Sequence, residues 1–355
     1  MDQLTAHLDR GWDLAQRGDI RGAESSARRA IELDPESPEA YNLLGYAASL
    51  EGDSDEALEA YHQAILLDDT YVEAMLNAAE VYTHALGEYD EAVELCEQIL
   101  GVTDYEDEII DTLLLKFEAL LGKGDVDEAQ KTLAALPSGP YEAAAQSFAV
   151  GRAHFEVGQL ARAAELFDAA LAAEPRHGDA LYYRGLLREE RGDRRGATSD
   201  LLQALALERE SPRPPWAPDE QAFAATVEGA LRGLPPELAS LVGNAEVYVV
   251  DLPGAEVVVD GVDPRALALV DAPSEDATGP RSEDTPAGAP APPEGEPGAV
   301  PGESTVPRVF VYALNALRAA PSLHALETEL RAALEREVAS AFGIELEEPE
   351  PDTAH

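Results

Sequence analysis

Basic residues are scarce in this chain. Its 355 residues include 25 Lys and Arg against 70 Asp and Glu, a net charge of -45 at pH 7. Such a surface repels a nucleic-acid backbone and an anionic membrane. Basic stretches with interleaved aromatics, the mark of a nucleic-acid face, are also absent. Neither partner is therefore expected. Cys96 stands alone. That excludes an internal disulfide framework and a cysteine-ligated metal, and its apolar surroundings make it a core residue. No apolar run approaches the roughly eighteen residues that would suggest a membrane helix. The opening residues 1–14, MDQLTAHLDRGWDL, lack a basic region followed by an apolar one, so no signal peptide is expected and the cytoplasm is the expected location. No phosphate-binding Gly-rich loop, dinucleotide fingerprint or Gly-x-Ser-x-Gly elbow occurs, and no cofactor is expected.

What the chain has is repetition. Hydrophobic residues make up 45% of it, and its length suggests two domains with sizeable cores. Residues 38–69 read as two helices with a turn at Glu51-Gly52-Asp53. Small residues (Gly45, Ala57, Ala64) stand where the helices must touch, among the larger Tyr41, Leu44, Leu58, Tyr61 and Ile65. Such a hairpin leaves an apolar face that only a similar neighbour can cover. Small residues equivalent to Ala57 recur at Ala23, Ala92, Ala129, Ala163 and Ala197, at intervals of 34, 35, 37, 34 and 34. A Gly lies twelve residues before four of them, at Gly11, Gly45, Gly151 and Gly185, while Ala79 and Phe117 replace it in the third and fourth units. The longer intervals there predict a bent or looser joint. Turns are expected at Gly18-Asp19, Gly52-Asp53, Gly87-Glu88, Gly124-Asp125, Gly158-Gln159 and Gly192-Asp193. Acidic pairs such as Asp55-Glu56, Asp90-Glu91 and Asp127-Glu128 follow, suited to helix N-termini rather than to a calcium loop.

Six units in phase over roughly residues 4–210 resemble the tetratricopeptide repeat. The resemblance implies an all-α solenoid of about six helix-turn-helix repeats, assigned to 1–210, whose first helices line a groove. The groove residues it implies are Trp12; Glu39, Asn42 and Tyr46; Glu73 and Glu80; Asp111 and Glu118; Phe148, Arg152 and Phe155; Asp179 and Tyr182. The middle of that surface is acidic and its ends aromatic. A segment carrying Lys or Arg fits it, while the alternative, acids that only keep the solenoid soluble, stays open. Repeat proteins that clamp an acidic chaperone tail use Lys, Arg and Asn at these places. The basic residues are missing here, which argues against a chaperone-associated adaptor.

Residues 211–218, SPRPPWAP, form a stiff linker, from which Trp216 docks on one domain or the other. Phe223, Val227 and Leu231 then mark a helix, residues 234–238 (LPPEL) a break and a helical turn, and residues 246–250 (EVYVV) a strand closed by Asp251-Leu252-Pro253. A further strand is expected over 256–260 and another over 308–312. The stretch 271–306 is rich in Pro, Gly, Ala and acid and is expected to be a disordered insertion. Leu323, Leu326, Leu330, Leu334, Val338 and Phe342 stripe a final helix ending at Gly343, before an acidic tail, 347–355. This order of elements over 219–346, with its LPPEL, DLP and Phe-Gly pieces, resembles a small zincin-like family with a minimal matrix-metallopeptidase-like domain. The resemblance implies a small α+β domain whose last helix carries His-Glu-x-x-His, with zinc on the two His and the Glu activating water. In this chain the corresponding residues are Arg336, Glu337 and Ser340. A permanently charged Arg336 repels a dication and Ser340 is a poor ligand, so Glu337 is vestigial and no metal is expected. His324 lies thirteen residues before Glu337 and cannot replace either ligand. The expected function is a protein-interaction scaffold with a non-catalytic second domain. The alternative is an active metal-dependent peptidase with atypical ligands among Glu337, Glu345, Glu347 and His324.

Overall fold

A computed structural model describes residues 3–214, 216–272, 306–320 and 322–346. The chain divides into two compact units, Met1–Ala204 and Leu205–His355. The division falls inside one helix, ahead of the proline-dense stretch.

The first unit is a row of helical hairpins: α1 Gln3–Gln16 with α2 Ile20–Leu33, α3 Pro38–Glu51 with α4 Ser54–Leu67, and α5 Val72–Glu80, extended by a π-helical turn Val81–Leu86, with α6 Tyr89–Val102. Next come α7 Glu106–Lys123 with α8 Val126–Ala134, α9 Ala144–Glu156 with α10 Leu160–Ala173, and α11 Gly178–Glu190 with α12 Arg194–Glu210. All six turn glycines take φ between +68° and +87°, a conformation that carries no steric penalty only in Gly. The residue after the Gly then works as a cap: carboxylates of Asp19, Asp53, Asp125 and Asp193 accept from the backbone N–H of Gly22, Glu56, Glu128 and Gly196. The acidic pairs one step further on sit in the first turns of α4, α6 and α8. The repeated alanines are fully buried, or nearly so in Ala197. A Cβ on Gly45 would stand 2.6 Å from the Tyr61 ring, so this glycine sets how closely α3 and α4 approach.

The two long intervals have separate causes. The π-helical turn absorbs one extra residue at the end of α5, which turns 34 into the 35 between Ala57 and Ala92. α7 has 18 residues where α3 has 14, and the link ahead of it is one residue shorter, which yields the 37 before Ala129. α8 is cut to 9 residues, and a loop through the cis Gly139-Pro140 bond restores the spacing.

The second unit contains α13 Glu220–Arg232, α14 Pro236–Val242, β1 Glu246–Val250, α15 Ala255–Val259, β2 Ala268–Asp271, β3 Arg308–Tyr312, α16 Ala313–Ala319 and α17 Leu323–Ala341. Among the described residues the sheet runs β1-β3-β2, with β1 parallel and β2 antiparallel to β3. One face is the core: Ala268, Val270, Val309 and Val311 meet Phe223 and Val227 of α13 and Leu326, Leu330, Leu334 and Val338 of α17. Trp216 and Ala217 pack against the same core, which settles where the linker tryptophan docks.

Two expectations are corrected. Of the strand expected over 256–260, residues 256–259 lie in helix α15 and Asp260 is its C-cap. Its three valines suggested β structure, but Pro253-Gly254 breaks the extended chain, the N–H of Val258 bonds the carbonyl of Gly254, and Gly261 at φ +104° closes the turn. Strand β2 was not expected, because its Ala268-Leu269-Val270-Asp271 sequence carries little β-branched signal. The expected disordered insertion, 271–306, falls for the most part outside the described residues, as does the acidic tail.

Candidate functional site

Consecutive first helices touch one another (α1 with α3, α3 with α5, α5 with α7, α7 with α9, α9 with α11). Side chains at matching positions of these helices are therefore neighbours across repeats. Between α5 and α7 they enclose an open pocket of about 280 Å³, lined by Glu73, Leu76, Asn77, Glu80, His84, Asp111, Leu114, Leu115 and Glu118. Four of the expected groove residues, Glu73, Glu80, Asp111 and Glu118, thus meet in one place. Two of these carboxyls are shifted, by desolvation first and by neighbouring acids second. The Glu80 carboxyl is pushed above the usual carboxylate range, by partial desolvation first and then by Glu118 and Asp111, while His84 opposes the rise. Asp111 is raised as well, by desolvation and by Asp107.

Glu118 pairs with Arg152, and its other oxygen lies 3.4 Å from His84 Nε2. Arg152 also reaches Glu156 at 3.6 Å. Glu156 remains above its ordinary range, because desolvation outweighs the pull of Arg152. Among the described residues no ion pair is seen at Glu73 or Asp111, and Glu73 accepts from the Tyr71 hydroxyl at 3.2 Å.

The other expected residues do other work. Asn42 is fully buried, accepts from Asn77 Nδ2 at 2.9 Å and donates to the Tyr71 hydroxyl at 3.2 Å. Its amide is spent on joining α3 to α5. Trp12 of α1 and Tyr46 of α3 lie 5.1 Å apart between ring centroids, with their planes tilted by 46°. Glu39 is exposed and accepts from Ser37 Oγ at 2.8 Å. Phe148 and Phe155 pack with Phe167 and Tyr183 in an aromatic cluster joining α9, α10 and α11. Tyr182 meets Tyr183 edge-on at 5.5 Å, and Asp179 is exposed in the first turn of α11. The expected set missed Asn77, His84 and the apolar floor Leu76, Leu114 and Leu115. Asn77 and His84 lie on the helix that carries Glu80, at spacings of three and four. Helical periodicity alone could have added them.

In the second unit, Arg336 and Ser340 are exposed on α17 and Glu337 is half-buried. Burial raises the Glu337 carboxyl and Arg336 pulls it back. His324 is exposed, one residue into α17, and Glu345 is exposed just beyond its end; Glu347 lies outside the described residues. Among the described residues no cluster of three His, Cys, Asp or Glu has the arrangement of a metal site. No described helix is long and apolar enough to cross a membrane.

Comparison with known proteins agrees with the repeat geometry. One tetratricopeptide repeat family model matches residues 8–65 and 148–213, and a second matches 48–104. The unmatched gap, 105–147, holds the long α7 and the short α8. No curated protein matches the chain. Among solved structures, PilF of Pseudomonas aeruginosa is 20% identical, over 63% of this chain and 97% of its own, with a TM-score of 0.49. PilW, a type IV pilus biogenesis factor, is 18% identical over 57% of this chain and 92% of its own, with a TM-score of 0.47. The TPR protein YrrB is 23% identical over 51% of this chain and 91% of its own, with a TM-score of 0.37. Over the matched residues, this chain carries tetratricopeptide repeats.

Proposed function

We propose that the chain is a protein-interaction scaffold whose first unit takes an extended or helical segment bearing Lys or Arg. One observation carries this reading: Glu73, Glu80, Asp111 and Glu118 converge on a pocket floored by Leu76, Leu114 and Leu115. A long basic side chain offers both the charge for the rim and the methylenes for the floor. The Glu80 and Asp111 carboxyls are raised in the free protein, by desolvation first, and a cation placed beside them favours their charged form. An array of Lys- and Arg-bearing peptides, with acidic peptides as controls, tests this by fluorescence polarisation. Basic peptides are expected to bind. The triple variant Glu73→Gln, Glu80→Gln, Asp111→Asn, which spares the partner of Arg152, is expected to bind at least about tenfold more weakly. Equal binding by the variant, or by the acidic peptides, removes the reading.

In this proposal the second unit is a non-catalytic, metallopeptidase-like module. What supports it is the chemistry of Arg336 and Ser340 at the two ligand positions of the resembled family. The purified chain is then expected to leave a broad peptide library intact. Cleavage that disappears in Glu337→Gln would overturn that part. A cytoplasmic location belongs to the same proposal, and cell fractionation tests it.

A further inference from the structure

Among the described residues, strand β1 is an edge of the sheet. All five of its residues are exposed, and four of them are Val247, Tyr248, Val249 and Val250, each at 40–43%. Proteins normally guard such an edge with charge, proline, a bulge or a covering element. Here the only charge on the strand is Glu246, and no Pro interrupts residues 246–250. Beside the strand lies an open recess of about 450 Å³, lined by the apolar Phe223, Val249, Ala313 and Leu317 and also by the charged Arg213, Glu220 and Asp251.

The ladder shows which groups are unspent. β1 runs parallel to β3 with Glu246 opposite Arg308, and the Glu246 N–H donates to the Pro307 carbonyl at 2.9 Å. Alternation along a parallel ladder then turns the backbone groups of Glu246, Tyr248 and Val250 toward β3. Val247 and Val249 present their N–H and C=O groups to the open edge.

We propose that this edge pairs with the same strand of a second copy, antiparallel about Tyr248. The register follows from the ladder. Val247 faces Val249 of the other copy and Val249 faces Val247, which satisfies all four outward groups. Tyr248 meets Tyr248 at the two-fold axis in a non-hydrogen-bonded pair, where side chains approach closest. Glu246 falls opposite Val250, so no acid opposes an acid. The two Glu246 residues end up about 13 Å apart, beyond the roughly 8 Å over which exposed charges act at physiological salt. The two β-sheets become one sheet of six strands. The chain's own remaining segments are poor candidates by composition. Residues 273–305 contain eight prolines, which cannot donate to a ladder, and residues 347–355 would bring further acid to Glu246.

Sedimentation equilibrium of the full chain tests the proposal, together with cysteine cross-linking in a Cys96→Ser background. The mass is expected to rise from 37.9 kDa toward twice that value between micromolar and millimolar concentration. Val249→Lys is expected to weaken the dimer at least about tenfold. Tyr248→Cys is expected to form an intermolecular disulfide under mild oxidation, since Cα atoms of such a pair stand about 4.5 Å apart. Val250→Cys, about 13 Å from its counterpart, is not expected to do so. The cysteine pair decides the register even if Val249→Lys fails to fold. A chain that stays monomeric, or cross-links equally at both positions, overturns the proposal. So does a dimer that appears only after residues 273–305 are deleted, because that segment would then be the occupant.

Discussion

Asp200 is 2% exposed, and three charge-assisted hydrogen bonds hold it. Arg184 grips it with Nε and Nη2 at 2.8 and 2.9 Å, and Arg188 Nη1 reaches it at 2.7 Å. Removing that carboxylate leaves two guanidinium groups in partial burial without their shared partner. Asp200→Ala is expected to lower stability by about 2 kcal/mol, less than for a fully buried pair because both arginines touch solvent. Urea denaturation of the full chain measures it. Gly45 carries a second residue-level prediction. With Tyr61 2.6 Å from any added Cβ, Gly45→Ala must separate α3 from α4, at about 1–3 kcal/mol, although alanine is the better helix former. The third concerns protons. The Glu80 and Asp111 carboxyls are raised in the fold, so the folded chain binds protons more readily than the unfolded one. Their charge therefore opposes folding near neutrality, and stability is regained as pH falls through the raised values. Glu80→Gln is expected to raise Tm at pH 7, and the gain should shrink on acidification. A gain that is constant with pH would point to packing rather than charge. The same groups should release protons when a cationic peptide binds at mildly acid pH, which calorimetry in buffers of different ionisation enthalpy detects. At this scale the sequence was informative about size and poor about partnership. Glycine and alanine spacing marked Gly45 and Ala57 correctly, because close approach requires a small residue wherever it occurs. Nothing local announced that Asn42 would spend its amide on Asn77. Nor did anything announce that buried Asn315 would donate to the carbonyls of Pro264 and Ala266, about fifty residues earlier.

Elements were legible where one rule governed them. Each hairpin of the first unit has a Gly at positive φ, and in most of them the next residue is a capping Asp and a buried Ala follows. These are local devices, and local devices can be read in a sequence. Legibility failed where local and distant forces disagreed. Val257, Val258 and Val259 prefer strands, yet α15 is helical, with Val258 buried and Val259 57% exposed. β2 forms from a sequence of low strand propensity because β3 offers it a ladder. The irregular intervals were visible as numbers but not as shapes. An extra residue can enter a turn, a link or a helix, and the sequence does not say which. In the third unit it entered the helix, as the π-helical turn Val81–Leu86. That explanation has a consequence. Deleting exposed Ala85 restores the 34-residue interval and lets the segment continue as α-helix. The deletion is expected to leave helical circular dichroism unchanged and to cost less than about 2 kcal/mol, since one unfavourable turn is exchanged for a regular one. A loss well above that would mean that the π geometry is needed to place Thr83, which is buried and donates to the Ala79 carbonyl at 2.8 Å.

Charge is the property that belongs to the whole molecule. A net charge of -45 acts on every encounter the chain makes, and it acts with opposite sign on the two encounters argued above. A cationic segment approaching the pocket of Glu73, Glu80, Asp111 and Glu118 is drawn by that field. A second copy approaching β1 is repelled by it, although the contact itself is apolar. Salt weakens both effects. Raising ionic strength from 0.1 to 1 M shortens the screening distance from about 10 Å to about 3 Å. Affinity for a Lys- or Arg-bearing peptide is therefore expected to fall, by about tenfold or more, with the loss in the association rate. Self-association through β1 is expected to tighten over the same range, as repulsion is removed and the Val and Tyr contacts remain. The two titrations share one protein sample and one salt series, so neither slope can be ascribed to general destabilisation. If peptide affinity holds constant across the series, the four carboxylates are not the determinant of binding, and the apolar floor of Leu76, Leu114 and Leu115 has to carry recognition instead. If self-association weakens with salt, the interface is ionic and lies elsewhere than on the Val247–Val250 edge.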